Sequence, residues 1–151
     1  MVRLRFETTR LISLRYENFP VSIVRLIADV KFWKERKGFS KSFEAIVDTG
    51  AHTSIIPKNI WRDLKVKVIV KDTFIVGINR KEECQIPASL GKAAFLLVDE
   101  HGNRSKIFDT LTFLAKTDQV PLIVGFADIL TEFKVAFDYS SGEAYIEEKS
   151  G

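Results

Sequence analysis

Cysteine occurs once in the 151 residues, at Cys84, so no intramolecular disulfide can staple the fold and a disulfide scaffold is excluded. Histidine occurs only at His52 and His101. Two distant histidines and one cysteine do not make a zinc site, and no metal or other cofactor is expected. No apolar run approaches the ~18 residues of a spanning helix, so a membrane is not expected as a partner. The start of the chain, Met1 to Phe6, alternates charged and apolar residues and lacks the continuous apolar stretch of a signal peptide. A cytoplasmic location is the expectation. Amides are scarce, confined to Asn18, Asn59, Asn79, Asn103, Gln85 and Gln119, which is compatible with a heat-loving source. No glycine-rich phosphate loop, Gly-x-Ser-x-Gly elbow, internal repeat or linker is present.

What is there is enough for a core. Apolar residues make up 46% of the chain, and its length suits a single domain over residues 1–151. Phenylalanine is frequent, with 12 copies spread along the chain, which favours a core assembled from many short strands. The net charge of +3 does not by itself suggest a nucleic-acid binder.

Short alternating runs dominate. Arg3 to Thr9 reads as a strand. From Val24 to Phe32 the even positions Val24, Leu26, Ala28, Val30 and Phe32 are apolar, a period of two with one buried face. Lys34 to Gly38 is a polar turn with glycine where a hairpin needs it. Phe43, Ala45 and Val47 alternate again and lead into Asp48. Pro57 starts either a short helix toward Leu64 or a turn. Lys65 to Val70 is a strand, and Thr73 to Ile78, Asn79 to Lys81 and Glu82 to Ala88 form a hairpin. Ala93 to Val98 and Lys106 to Leu114 flank the turn Asp99 to Asn103, and Val120 to Val124 is a short buried strand. Phe126 to Phe133 reads as two helical turns with Ile129, Leu130 and Phe133 on one side. A last hairpin joins Lys134 to Tyr139 and Glu143 to Glu148 through Ser140-Ser141-Gly142. Many short strands with frequent turn signals predict an all-β domain, a barrel-like sheet pair.

One segment looks built for chemistry: Phe43-Glu44-Ala45-Ile46-Val47-Asp48-Thr49-Gly50-Ala51. An apolar strand delivers a carboxylate to a tight turn, where backbone N–H groups, a partner or water must satisfy it. Gly50 lets the backbone turn and bring N–H groups to the carboxylate. Thr49 adds a hydroxyl able to bond across a loop. Alone, the tripeptide is equally a carboxylate capping a turn.

The surroundings say more. Ala45-Ile46-Val47-Asp48-Thr49-Gly50-Ala51 resembles the active-site motif of the retropepsin-like aspartic peptidases, in which apolar residues precede Asp-Thr/Ser-Gly-Ala. Leu122-Ile123-Val124-Gly125 resembles that family's second signature, apolar residues followed by glycine near the C-terminus, 77 residues beyond Asp48. The resemblance implies a closed-barrel-like aspartic protease fold with one short C-terminal helix, in which the strand of Ile123 and Val124 passes through the loop bearing Asp48 and Gly125 permits close packing. It implies that Asp48 is catalytic, that Thr49, Gly50 and Ala51 support it, and that Thr73 to Ala88 is a substrate-covering flap with Val76, Gly77, Ile78 and Asn79 near its tip. Two positions depart from the viral pattern. His52 stands where an acidic residue is usual and Phe126 where arginine is usual, so the ion pair that stabilises viral dimers is missing. His52 is then either a residue that touches substrate or a solvated loop histidine.

The chemistry needs two carboxylates sharing a proton, one to deprotonate water and one to protonate the scissile carbonyl. Asp-Thr-Gly occurs once, since Asp109-Thr110-Leu111 lacks the glycine. The expected assembly is therefore a homodimer with two Asp48 side chains at its two-fold axis, Thr49 bonding across it, and Arg3 to Thr9 or Glu143 to Glu148 at the interface. The expected partner is an extended peptide or protein substrate, cleaved as by an aspartic endopeptidase. A second reading stays open: a weak or inactive retropepsin-like dimerisation or peptide-binding module. A third rests on the basic, aromatic stretch Lys31 to Lys41. A solvated hairpin tip explains that stretch better, and nucleic acid is not an expected partner.

Overall fold

The computed structural model describes residues 1–12, 20–77 and 81–149. Strands dominate, with one short helix: β1 (Val2–Arg3), β2 (Arg5–Ile12), β3 (Pro20–Phe32), β4 (Phe43–Val47), β5 (Ser54–Ile56), α1 (Lys58–Trp61), β6 (Lys67–Ile75), β7 (Ile86–Val98), β8 (Phe108–Ala115), β9 (Ile123–Val124), β10 (Phe133–Asp138) and β11 (Glu143–Glu148). The all-β expectation holds.

The larger sheet runs β2-β3-β4-β9-β5-β8-β7-β6. Because β3 also pairs with β7, the inner strands β3-β4-β9-β5-β8-β7 close into a barrel. Closure follows from strand length. β3 and β7 have 13 residues each, enough to serve different neighbours along their length. β3 meets β2 through Pro20 to Ile27, β4 through Ile27 to Val30 and β7 through Asp29 to Phe32. Among the described residues, the closed ring leaves the barrel strands without free edges, and only β2 and β6 end the sheet. A second sheet, β1-β11-β10, ties the first residues of the chain to the last strand: Val2 lies opposite Ile146, and the Leu4 N–H donates to the Ala144 carbonyl at 2.9 Å.

The core fills the barrel with aromatic contacts. Phe32 packs on Phe43 and Phe95, Phe95 on Phe108, and Phe108 on Phe133, with ring centroids 5.3–6.0 Å apart. Val30, Leu97, Leu114, Val124, Ile129 and Ile146 complete it. The period-two pattern of β3 is seen in buried Ala28, Val30 and Phe32. Its outer end escapes the barrel, and Val24 is exposed.

Three expectations change. The residues from Phe126 to Phe133 form turns and a single 3-10 turn at Leu130–Glu132, not a C-terminal helix. Asp128 adopts a left-handed φ of 62°, which a continuous helix does not tolerate, and the N–H groups of Phe126 and Ala127, free at any helix start, bond the Ala51 and His52 carbonyls. Ile129, Leu130 and Phe133 are nevertheless all buried. The α-helix instead follows Pro57, the alternative left open there. Finally, Glu82 to Ala88 and Ala93 to Val98 are not separate strands, because β7 runs through Gly91 without a break. A Cβ on Gly91 would sit 2.6 Å from the Lys67 carbonyl oxygen of β6, so this glycine marks a close strand crossing.

Candidate active site

β4 fixes the carboxylate. Ala45 and Val47 are buried and alternate with Glu44 and Ile46, which places Asp48 off the core face at the strand end. The Asp48 N–H donates to the Val124 carbonyl at 3.0 Å, continuing the β4–β9 ladder by one residue. The chain then turns: the Ala51 N–H donates to the Asp48 carbonyl at 3.3 Å, and the Gly50 N–H donates to Asp48 Oδ1 at 2.8 Å. The expected backbone donor to the carboxylate is present. A Cβ on Gly50 would lie 3.2 Å from Asp48 Oδ1, so a side chain there would press the carboxylate by a few tenths of an ångström, while the φ of Gly50 is not left-handed.

β9 lies between the two strands that flank this turn. It is parallel to β4, with Ile46 opposite Ile123 and Val47 opposite Val124, and antiparallel to β5, with Ile55 opposite Ile123. Residues 48–53 therefore arch over the Ile123-Val124-Gly125 segment. The arch is stitched on both sides. The Ile46 N–H donates to the Leu122 carbonyl (2.9 Å), the Phe126 N–H to the Ala51 carbonyl (2.7 Å) and the Ala127 N–H to the His52 carbonyl (2.8 Å). Gly125 sits where no side chain fits: a Cβ would lie 2.7 Å from Thr53 C, 2.8 Å from Ser54 N and 3.0 Å from the Ala51 carbonyl oxygen.

The expected site residues divide accordingly. Asp48, Thr49, Gly50, Ala51, Ile123, Val124 and Gly125 are brought together in this arch. Asp48 and Ala51 are half-buried, while Thr49 and Gly50 are exposed. Among the described residues the Thr49 hydroxyl has no partner. His52 is exposed, with Nδ1 3.2 Å from the Thr53 hydroxyl, and the Phe126 ring is exposed beside it.

The expected hairpin forms from β6 and β7, with Thr73 opposite Ala88 and Ile75 opposite Ile86. Val76 and Gly77 follow at its exposed end, while Ile78 and Asn79 lie outside the described residues. Near that end, Ile75 and Ala88 of the hairpin cluster with Ala115 of β8, and Ile55 of β5, the strand that leaves the Asp48 arch, packs against them. Two further residues, not anticipated from the sequence, reach the arch: Ser54 and Thr112, both buried. The Gly125 N–H donates to Ser54 Oγ at 2.9 Å, and Thr112 Oγ1 donates to the Ser54 carbonyl at 3.0 Å.

Other charged groups serve structure. Arg5 on β2 bonds both Asp29 on β3 and Glu44 on β4, which lie directly opposite each other. Its hydrogen bond to Asp29, set against desolvation, raises the guanidinium pKa further. Burial pushes the Asp99 carboxyl up, but donors from the Arg3 N–H, the Asn103 side chain and N–H and the His101 N–H outweigh it and hold Asp99 at about 2. Among the described residues no three His, Cys, Asp or Glu side chains converge as a metal site needs, and no helix is long and apolar enough to cross a membrane. Two concave surfaces, of about 700 Å³ beside Arg3, Glu143 and Tyr145 and about 440 Å³ beside Lys31 and Arg104, lie away from Asp48. In the basic stretch, Trp33 bridges to Phe39 across the 3-10 turn Glu35–Lys37, a hairpin tip as read from the sequence.

No family model matches the chain, and no curated protein does. Among solved structures it is similar to the crystal structure of a retropepsin-like aspartic protease from Rickettsia conorii, at 15% sequence identity over 97% of this chain and 98% of that one, with a TM-score of 0.47.

Proposed function

We propose that the chain, as a single domain over residues 1–151, is half of a homodimeric aspartic endopeptidase in which Asp48 of each subunit contributes one of two catalytic carboxylates. The observation that carries this reading is the interlocked arch. A carboxylate held by the Gly50 N–H stands on a turn whose two ends are stitched to one buried strand, which fixes it at the end of the barrel. Water held between the two carboxylates loses a proton to the ionised one while its oxygen attacks the scissile carbonyl carbon. The protonated partner gives its proton to the carbonyl oxygen. The tetrahedral gem-diol then collapses: one hydroxyl returns a proton to the ionised carboxylate, the C–N bond breaks, and the departing nitrogen takes the proton of the other carboxyl. No covalent acyl-enzyme forms.

The second carboxylate comes from a second copy of the chain. Asp-Thr-Gly occurs once, and the concave surfaces described above do not include Asp48. The unpartnered, exposed Thr49 hydroxyl is a donor available across the axis, and Ala51 closes the turn behind it. The substrate is an extended peptide laid between the dyad and the β6–β7 hairpin. Val76, Gly77, Ile78 and Asn79 at the hairpin end and His52 beside the arch are the contacts proposed for it. The proposed setting is cytoplasmic, with no metal or other cofactor in the reaction.

The test is cleavage of a synthetic peptide library by wild type and by Asp48→Asn, run beside size exclusion. Cleavage lost in the variant, with both proteins dimeric, supports the reading. Equal cleavage by the two, or activity in a protein that stays monomeric throughout, overturns it. A dimer that binds peptides without cleaving them would instead favour the binding-module reading.

A further inference from the structure

The stitching between the Asp48 arch and β9 is almost entirely backbone. The bonds from Ile46 to Leu122, Asp48 to Val124, Phe126 to Ala51 and Ala127 to His52 all join main-chain groups, which ordinary substitution leaves in place. Among the described residues, one side chain enters this seam: Ser54 Oγ, which accepts the Gly125 N–H at 2.9 Å. Ser54 is 2% exposed, and Gly125 is buried so close to the arch that a Cβ on it would clash with the backbone of Thr53 and Ser54. A buried N–H that loses its acceptor is left unsatisfied, which favours a shift of the segment toward another acceptor.

Ser54 is itself held. It stands opposite Thr112 in the parallel β5–β8 ladder, and Thr112 Oγ1, fully buried, donates to its carbonyl at 3.0 Å. A chain of contacts thus runs from β8 through Ser54 to Gly125, just after β9, and from Val124 to the Asp48 N–H. We infer that Ser54, braced by Thr112, is a positioning residue for the Asp48 carboxylate: it sets the depth at which the arch sits on β9 without touching substrate. This rests on the reading of Asp48 as the catalytic carboxylate.

The experiment uses the full chain and the best-cleaved member of a synthetic peptide library, with Ser54→Ala, Ser54→Thr and Thr112→Val. Carboxylate displacement acts on the chemical step and not on the binding of an extended peptide. Ser54→Ala is therefore expected to lower kcat about 10- to 100-fold with KM changed less than about threefold. Ser54→Thr, which keeps the hydroxyl, is expected to restore kcat to within about threefold of wild type, and Thr112→Val to give a smaller loss than Ser54→Ala. Hydrogen exchange at the Gly125 amide provides a reading independent of turnover: faster in Ser54→Ala, near wild type in Ser54→Thr. A Ser54→Ala kcat within about twofold of wild type, a loss confined to KM, a failure of threonine to rescue, or unchanged Gly125 exchange would each overturn the inference. Wild type and Asp48→Asn cleaving alike would overturn the catalytic reading itself, and the positioning role with it. Loss in Asp48→Asn without loss in Ser54→Ala overturns the positioning role alone.

Discussion

Replacing Gly125 by alanine tests whether the arch and β9 are as tightly locked as their distances say. The added carbon would lie 2.7 Å from Thr53 C, 2.8 Å from Ser54 N and 3.0 Å from the Ala51 carbonyl oxygen, all of them backbone atoms with no rotamer to change. Restoring an ordinary carbon–carbon separation of ~3.5 Å requires β9 and the arch to part by about 0.8 Å. That movement stretches the Gly125 to Ser54 bond (2.9 Å) and the Phe126 to Ala51 bond (2.7 Å) together. Overpacking costs roughly 1–3 kcal/mol and a lost hydrogen bond about 1 kcal/mol, so the expected destabilisation is about 2–4 kcal/mol. For a chain of this size that corresponds to a Tm lower by roughly 5–15 °C, measured by circular dichroism at one fixed protein concentration. Gly77→Ala is the control. Nothing lies within 4 Å of its added carbon, and its stability is expected to stay within about 1 kcal/mol of wild type. A Gly125→Ala Tm within about 2 °C of wild type, or an equal fall in both variants, would refute the locked-arch argument.

Asp99 gives a pH dependence with a definite sign. Its folded carboxyl lies below the ordinary 3.8, at about 2, so the stabilisation is fully present above pH ~4 and is lost as pH falls from there toward 2. The gap between wild type and Asp99→Ala in urea unfolding should be on the order of 1 kcal/mol at pH 7, after screening of this partly exposed group, and should narrow steadily below pH 4. A gap that widens on acidification would contradict the assignment. Arg5→Ala should leave Asp29 and Glu44 as directly opposed like charges, costing up to about 1 kcal/mol at low salt. The same denaturation in 1 M salt should show most of that cost gone, and a salt-independent loss would point to packing instead.

The parts of this fold that were legible in the sequence are those whose causes are local. The alternation of Phe43, Ala45 and Val47 placed β4 and delivered Asp48 to a turn, and the last hairpin was legible because Ser140-Ser141-Gly142 separates two alternating runs. The close approach at Gly125, which the structure places against residues 51 to 54, was implied only by the resemblance of Leu122-Ile123-Val124-Gly125 to a family signature. What escaped depends on long-range partners. β5 is three residues long, too short for any period, and exists because β8 and β9 hold it on both sides. Ser54 therefore read as part of a loop, although it is among the most buried polar residues of the chain. The barrel closes through β3 and β7, whose paired residues lie more than 60 positions apart, a contact no local pattern encodes. The helical spacing of Ile129, Leu130 and Phe133 predicted burial correctly and conformation wrongly. The same side chains reach the core from turns, because the left-handed Asp128 breaks the helix that their spacing suggests.

The dependence on a second copy can be separated from ordinary loss of function by mixing chains. If each catalytic centre takes one Asp48 from each subunit, a wild-type chain paired with an Asp48→Asn chain holds a single ionisable carboxylate at the axis. Such a heterodimer lacks either the general base or the acid, because an amide performs neither role. With free subunit exchange in an equal mixture, about one quarter of the dimers are wild type on both sides. The chains that supplied them made up about half of the dimers before mixing, so activity per wild-type chain falls by roughly half. A threefold excess of Asp48→Asn should lower it to about one quarter by the same arithmetic. Adding the variant after exchange has been slowed by low temperature should delay the fall without changing its end point. Arg62→Ala, an exposed substitution outside the proposed site that leaves both carboxylates in place, should cause no fall at any ratio. Activity that stays constant per wild-type chain while size exclusion and native mass spectrometry record heterodimers would mean that each Asp48 acts within its own subunit. The shared dyad would then be wrong even though Asp48 itself is catalytic.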